Sequence, residues 1–325
     1  MYKNILIPVD NSRCSNQAID LGISLAKLSG ASLTGSHVYS ARLHDKRFKD
    51  MEEGLPEPYL KPDRLEHSRV VHDSLIGEGL KLISGAYLDV FEKKCSENGL
   101  TPHRKLQEGK NWFEIVKDSR ASAYDLIIMG AQGLGAVDDF TLGSVTERVI
   151  RSIETDLLVI KDSRPVKGLI TVAVDGSNYS RSALKRSLEL AKLYDTELEA
   201  VSVFDPNYHT VAFQSLVGVL SEEQGEKFKF EEQEKLHDEV IDKGLQKVYQ
   251  GYLQEAEAIA AKSDIKIKTT LLAGKPWDEI CKHVSLSDPS LLILSRFGAH
   301  QAEELILGSN AEHILYKADC NILLT

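Results

Sequence analysis

The chain is written twice. "ILIPVDNSRCSNQAIDLGISLAKLSGASL" (5–33) aligns with "ITVAVDGSNYSRSALKRSLELAKLYDTEL" (170–198), which places Asp10 and Asp175 at an offset of 165. The same offset carries Ser12 to Ser177, Ser15 to Ser180, Gly109-Lys110 to Gly274-Lys275, Trp112 to Trp277 and Gly143-Ser144 to Gly308-Ser309. One constant offset over a whole half-chain marks a duplication, and it restricts the fold to one that half the chain can build. The halves meet at "KDSRPVKG" (161–168), a short polar segment with Pro and Gly that reads as a linker. The domains are therefore expected at 1–162 and 166–325.

Within each half, short apolar runs alternate with segments of helical periodicity. In the first half, "NILIPVD", "SLTGSHVYS", "TPHRKLQEG", "DLIIMGAQG" and "DLLVIK" read as strands. "SNQAIDLGISLAKLSG" places apolar residues at helical spacing and ends on Gly30, a residue suited to a C-terminal cap. Strands that alternate with helices predict an α/β fold with a parallel sheet covered on both faces. Ligands on such sheets bind beyond the carboxyl ends of the strands. Asp10 and Gly130 both stand at such ends.

Composition narrows the function. A net formal charge of −10 argues against nucleic acid as a partner, since that binding needs a concentrated basic face. Cys14, Cys95, Cys281 and Cys320 form no CxxC pair or disulfide framework. No apolar run approaches the ~20 residues that span a bilayer, and the opening "MYKNILIPVD" reads as a strand rather than a signal peptide. A cytoplasmic protein that does not enter membranes is expected.

The most informative stretch is "GAQGLGAVDDFTLGS" (130–144), with Gly130, Gly133 and Gly143-Ser144. Glycines let the backbone approach a ligand without a Cβ in the way, and a helix opening at Ser144 would offer amide groups to an anion. Ser144 could also cap that helix. The loop lacks the lysine of GxxxxGK[ST], and it lacks the third glycine of the dinucleotide fingerprint.

With "PVDNSRCSNQAI" and "AVDGSNYSRSAL" opening the halves, and G-x2-G-x9-G-[ST] intact in the first, the chain resembles a tandem universal stress protein. The resemblance covers both halves apart from their long middle segments. It implies two five-stranded, Rossmann-like parallel-sheet domains, with ATP or AMP held mainly by the first. It implies that Pro8, Val9 and Asp10 line an adenosine pocket, with Asp10 near adenine or ribose. Val38 is expected against the adenine, Met129 and Gly130 beside the ribose, and Gly133, Gly143, Ser144 and Val145 on the phosphates. From the residues alone, Asp10 could equally cap the following helix with help from Ser12. Mg²⁺ would be a companion cation, with Asp138-Asp139 the acids at hand.

The second half departs from the pattern. The positions matching the first site are Val174, Asp175, Val203, Ser295, Gly298, Gly308 and Ser309, so the first loop glycine has become a serine. Arg296 and Phe297 follow it, and Glu303-Glu304 sit within the loop. Whether this half binds the same nucleotide weakly, another ligand or none is left open. Arg296 is expected in a surface salt bridge, with an anionic ligand as the alternative.

Segments 41–100 and 206–265 are longer than the fold requires. His72-Asp73 matches His237-Asp238, and Tyr87-Leu88 matches Tyr252-Leu253. His72 and His237 are candidate metal ligands, with helix packing as the plainer reading. "MEEGLPEPYLKP" (51–62) is expected as an irregular loop. "FQSLVGVLSEE" (213–223) could cover a pocket, pack in a core or make a dimer contact. Asn111, with Glu114 three residues on, suggests an N-cap and capping box, which makes Lys110 and Lys275 helix-start residues.

The expected function is that of an adenine-nucleotide-binding stress-response or regulatory protein, with the nucleotide held by the first domain. A homodimer is expected, and protein partners are unnamed. A slow ATPase or nucleotide-dependent enzyme is one alternative, and an interaction scaffold with a degenerate pocket is the other. No catalytic residue is assigned.

Overall fold

The computed structural model describes residues 1–135, 142–206, 242–299 and 306–325. The chain divides into two compact units, Met1–Ser163 and Arg164–Thr325.

In the first unit the elements run β1 (Asn4–Pro8), α1 (Arg13–Ser29), β2 (Ser32–Tyr39), α2 (Ala41–Met51), α3 (Pro62–Ser74), α4 (Leu80–Glu97), β3 (His103–Glu108), α5 (Asn111–Ala121), β4 (Leu126–Gly130), α6 (Ser144–Ile150) and β5 (Asp156–Ile160). The strand order is β3-β2-β1-β4-β5, and every described pairing is parallel. The chain reverses its direction of travel across the sheet between β1 and β4. There the strand ends splay apart and leave a crevice.

The central strands are apolar because helices cover both of their faces. Ile5, Leu6, Ile7, Leu126, Ile127 and Ile128 are fully buried. Helix α1 starts at Ser12, whose hydroxyl accepts from the Ser15 amide, and stops at Gly30, whose φ of 74° is left-handed. Helix α4 lies against β2, with the ring of Phe91 packed over Gly35.

The second unit repeats the plan. Its elements are β6 (Leu169–Ala173), α7 (Asn178–Tyr194), β7 (Glu197–Phe204), α8 (Asp242–Ala261), β8 (Ile267–Ala273), α9 (Pro276–Ser287), β9 (Leu291–Leu294), α10 (Ser309–Lys317) and β10 (Ile322–Leu324). The strand order is β10-β9-β6-β7-β8, again parallel. Ser177 caps α7 as Ser12 caps α1. Each half thus builds an α/β domain with a parallel five-stranded sheet, as the repeat implied.

Three local expectations are corrected. Segment 51–62 is not wholly irregular, because single 3-10 turns form at Glu52–Gly54 and Glu57–Tyr59. Prolines at 56 and 58 deny the amides that a longer helix needs. The N-cap of α5 is Lys110, and Asn111 is the first helical residue, so the capping box does not form. The N-cap of α6 is Gly143, and Ser144 opens the helix without capping it. Segment 213–223, His237, Asp138-Asp139 and Glu303-Glu304 lie outside the described residues.

Candidate nucleotide site

The first unit holds a cavity of about 560 Å³ at the carboxyl ends of β1, β2 and β4. Ten residues singled out in the sequence line it together: Pro8, Val9, Asp10, Val38, Met129, Gly130, Gly133, Gly143, Ser144 and Val145. They come from separate parts of the chain, and only the order β2-β1-β4 makes them neighbours.

Asp10 organises the centre. Its Oδ1 accepts from the Ser12 amide at 3.0 Å and its Oδ2 from the Leu134 amide at 3.3 Å. One carboxylate therefore shapes the turn into α1 and tethers the glycine loop. Ser12 adds a second tie, because its hydroxyl donates to the Gln132 carbonyl at 3.3 Å while capping α1. The helix-capping role weighed for Asp10 in the sequence belongs to Ser12.

The glycines follow from close approach. A Cβ on Gly130 would lie 2.8 Å from the Cβ of Cys14 and 2.9 Å from the Ser15 nitrogen, inside the start of α1. A Cβ on Gly133 would lie 2.5 Å from Asp10 Oδ2. The loop closes when the Gly143 amide donates to the Ala131 carbonyl at 2.8 Å, and the Thr146 hydroxyl fixes α6 by donating to the Gly130 carbonyl at 2.8 Å. Gly143 has no side chain to cap α6. The first-turn amides of a helix have no intrahelical partners, and Ser144, Val145 and Thr146 all line the cavity.

Sequence reasoning missed Ser36, His37, Tyr87, Asn111 and Ile115, which line the cavity on its β2 side. His37 Nδ1 donates to the Val9 carbonyl, and Tyr87 of α4 packs edge-on against the His37 ring, with centroids 5.2 Å apart. The pairing of Tyr87 with Tyr252 in the repeat was the available signal. Asn111 accepts from the Ser40 hydroxyl at 3.2 Å.

The second unit keeps the backbone scheme and changes the surroundings. Asp175 accepts from the Ser177 amide at 3.0 Å and the Ala299 amide at 2.9 Å, and the Gly308 amide closes the loop on the Arg296 carbonyl at 2.8 Å. Ser309 opens α10. Val174 and Val203 are buried, and a Cβ on Gly298 would meet Asp175 Oδ2 at 2.8 Å. The Ser295 hydroxyl, however, donates to the Phe297 carbonyl at 2.8 Å, and Phe297 packs against Tyr179 at 5.4 Å. The ring of Tyr252 presses on Gly176, where a Cβ would come within 2.2 Å of it. Arg296 is only 4% exposed. The expected surface position is therefore corrected, because the loop turns this side chain inward.

His72 stacks on Phe48, with ring centroids 4.1 Å apart. Among the described residues no group of three or more His, Cys, Asp or Glu side chains is placed to hold a metal ion. No described helix is long and apolar enough to cross a membrane.

Comparison with known proteins bears on the fold and its family. The sequence model of the universal stress protein family matches residues 1–161 and again 169–325. A universal stress protein of Methanocaldococcus jannaschii is 26% identical over 166 residues, covering 51% of this chain and 86% of that protein. The crystal structure of a universal stress protein from Archaeoglobus fulgidus aligns with 99% of this chain and 97% of its own, at TM-score 0.62 and 16% identity. A universal stress protein solved in complex with cAMP aligns with 49% of this chain and 97% of its own, at TM-score 0.33 and 16% identity.

Proposed function

The chain belongs to the universal stress protein family as two tandem domains, and from that premise we propose that its first domain binds an adenine nucleotide, ATP or AMP. One observation carries the reading. A strand-end carboxylate and a glycine loop that opens a helix border the same 560 Å³ cavity, whose walls are otherwise largely apolar. A helix start supplies amides for phosphate, and an apolar slot with few polar groups suits a base. Asp10 stands between the two, where a carboxylate can accept from ribose hydroxyls. Nucleotide occupancy would then control assembly or partner choice in a stress response. Mg²⁺ is the companion cation such phosphates would take.

The second domain is proposed not to hold a nucleotide in this way. The Ser295 hydroxyl bonded to the Phe297 carbonyl, the Tyr179–Phe297 pair and the Tyr252 ring on Gly176 favour a structural or interaction role.

Mass spectrometry of the purified protein and calorimetric titration with ATP, ADP and AMP test both statements. The expected result is one nucleotide per chain. At Gly143 a Cβ would sit 3.3 Å from the Ala131 carbonyl oxygen. Gly143→Asp also brings a negative charge to the phosphates and is expected to weaken binding by roughly two orders of magnitude. An unchanged affinity in that variant, or no binding by the wild type, removes the proposal for the first domain. Two nucleotides per chain removes it for the second.

A further inference from the structure

Ser36 occupies an unusual position. It lies in β2, two residues before Val38 and therefore on the same face of the sheet, and it lines the cavity. It is 1% exposed, and its hydroxyl has no hydrogen-bond partner among the described residues. Gln107 of β3 stands opposite Val38 in the strand register. Its Oε1 is likewise buried and without a partner among those residues. Buried polar atoms are nearly always satisfied, and an unsatisfied one at a cavity wall calls for a ligand or an ordered water. The second domain places Val201 where the first has Ser36, at the same 1% exposure. The fold itself therefore does not require a hydroxyl at this point.

The location indicates which part of a ligand would meet it. Ser36 stands opposite Pro8 in the β1–β2 register, and β1 separates β2 from β4, which carries the glycine loop. Phosphates held at that loop would place the other end of a nucleotide under β2. There Pro8, Val38 and Ile115 supply apolar walls, with His37, Tyr87 and Asn111 beside them. The His37 ring is tied to the Val9 carbonyl and the Asn111 side chain to Ser40, which leaves Ser36 as the buried hydroxyl without a partner among the described residues. A buried, unpartnered hydroxyl beside apolar walls can orient a heteroaromatic ring by one directional bond.

We infer that Ser36 is a specificity-determining residue, whose hydroxyl hydrogen-bonds the base of the nucleotide bound in the first domain. The inference rests on the nucleotide reading above and adds to it the group that reads the base. A hydroxyl retained for a ligand is dispensable to the fold, so replacing it is expected to lower affinity without lowering stability.

The full chain, Ser36→Ala and Ser36→Val are titrated calorimetrically with AMP and with ribose 5-phosphate, and each is melted without ligand. Ser36→Ala is expected to weaken AMP roughly five- to tenfold, the worth of one hydrogen bond, and to leave ribose 5-phosphate unchanged. Ligand-free Ser36→Val is expected to melt at or above the wild-type temperature. Wild-type affinity for AMP in both variants overturns this inference alone and leaves the nucleotide site standing. Equal loss for AMP and ribose 5-phosphate overturns the assignment to the base. A wild-type chain that binds no adenine nucleotide removes the inference together with the reading it rests on.

Discussion

Gly130 shows how much one missing atom decides. It ends β4 against the first turn of α1, and the contacts a Cβ would meet include backbone carbon and nitrogen as well as Cys14. Backbone cannot rotate away as a flexible side chain can, so Gly130→Ala must displace the start of α1. A cost of about 1–3 kcal/mol is expected, typical of overpacking, and urea unfolding of the first domain would measure it. A variant as stable as wild type would show that α1 gives way freely. The glycine itself was legible in the sequence, since its spacing to Gly133, Gly143 and Ser144 was already informative. Its contact with Cys14 was not, because the two lie 116 positions apart and only sheet order closes the distance. Ser36, His37 and Asn111 were missed for the same reason. Each is an ordinary residue until register places it on a particular face. Arg296 was misplaced because composition favours exposed arginines, whereas a loop's course decides which side chains turn inward.

Between elements, both domains tie a helix to the sheet by a side-chain contact to a carboxylate, which stands on the helix in the first domain and on a strand in the second. In the first, Lys105 of β3 donates to Asp118 of α5 at 2.6 Å. In the second, the fully buried Glu199 of β7 accepts from Lys268 and Thr270 of β8, at 2.8 and 2.7 Å, and contacts His283 of α9 at 2.9 Å. Burial pushes the Glu199 carboxyl upward, but the bonds from Lys268, His283 and Thr270 outweigh it and hold the group below the ordinary carboxylate range. The unfolded chain restores an ordinary value near 4.3. The stabilisation is therefore complete above that value and is lost as pH falls through the lower folded one. Glu199→Gln is expected to cost about 1–3 kcal/mol at neutral pH and to flatten the fall in melting temperature between neutral and acid pH. Parallel acid limbs for variant and wild type would exclude the role. Strand and helix alternation was legible throughout the chain. This clip was not, because its four members are spread over 84 residues.

For the molecule as a whole, the constant offset of 165 was the most dependable signal, because it depends on no single residue type. Each unit has its own buried strands and capped helices, and Met1–Ser163 is compact by itself. Residues 1–163 expressed alone are expected to unfold in one cooperative transition and to bind AMP within about threefold of the full chain, since every residue of the proposed site lies in this unit. A fragment that melts without cooperativity, or a folded one that has lost the nucleotide, would refute this.

The Tyr252 ring on Gly176 bears on ancestry. The first copy has Asn11 at the matching position, with a left-handed φ of 60°. Installing that asparagine in the second copy would drive its Cβ into the Tyr252 ring, so Tyr252 must turn aside, as its match Tyr87 does in the first copy, where it packs on His37. Restoring a glycine at 295 would still leave the Tyr179–Phe297 pair in place. No single reversion carries the second half back to the first, and an intermediate with only the asparagine would fold worse than either end point. The positions that separate the two halves are thus coupled, and a return to the first pattern needs changes made together rather than one at a time.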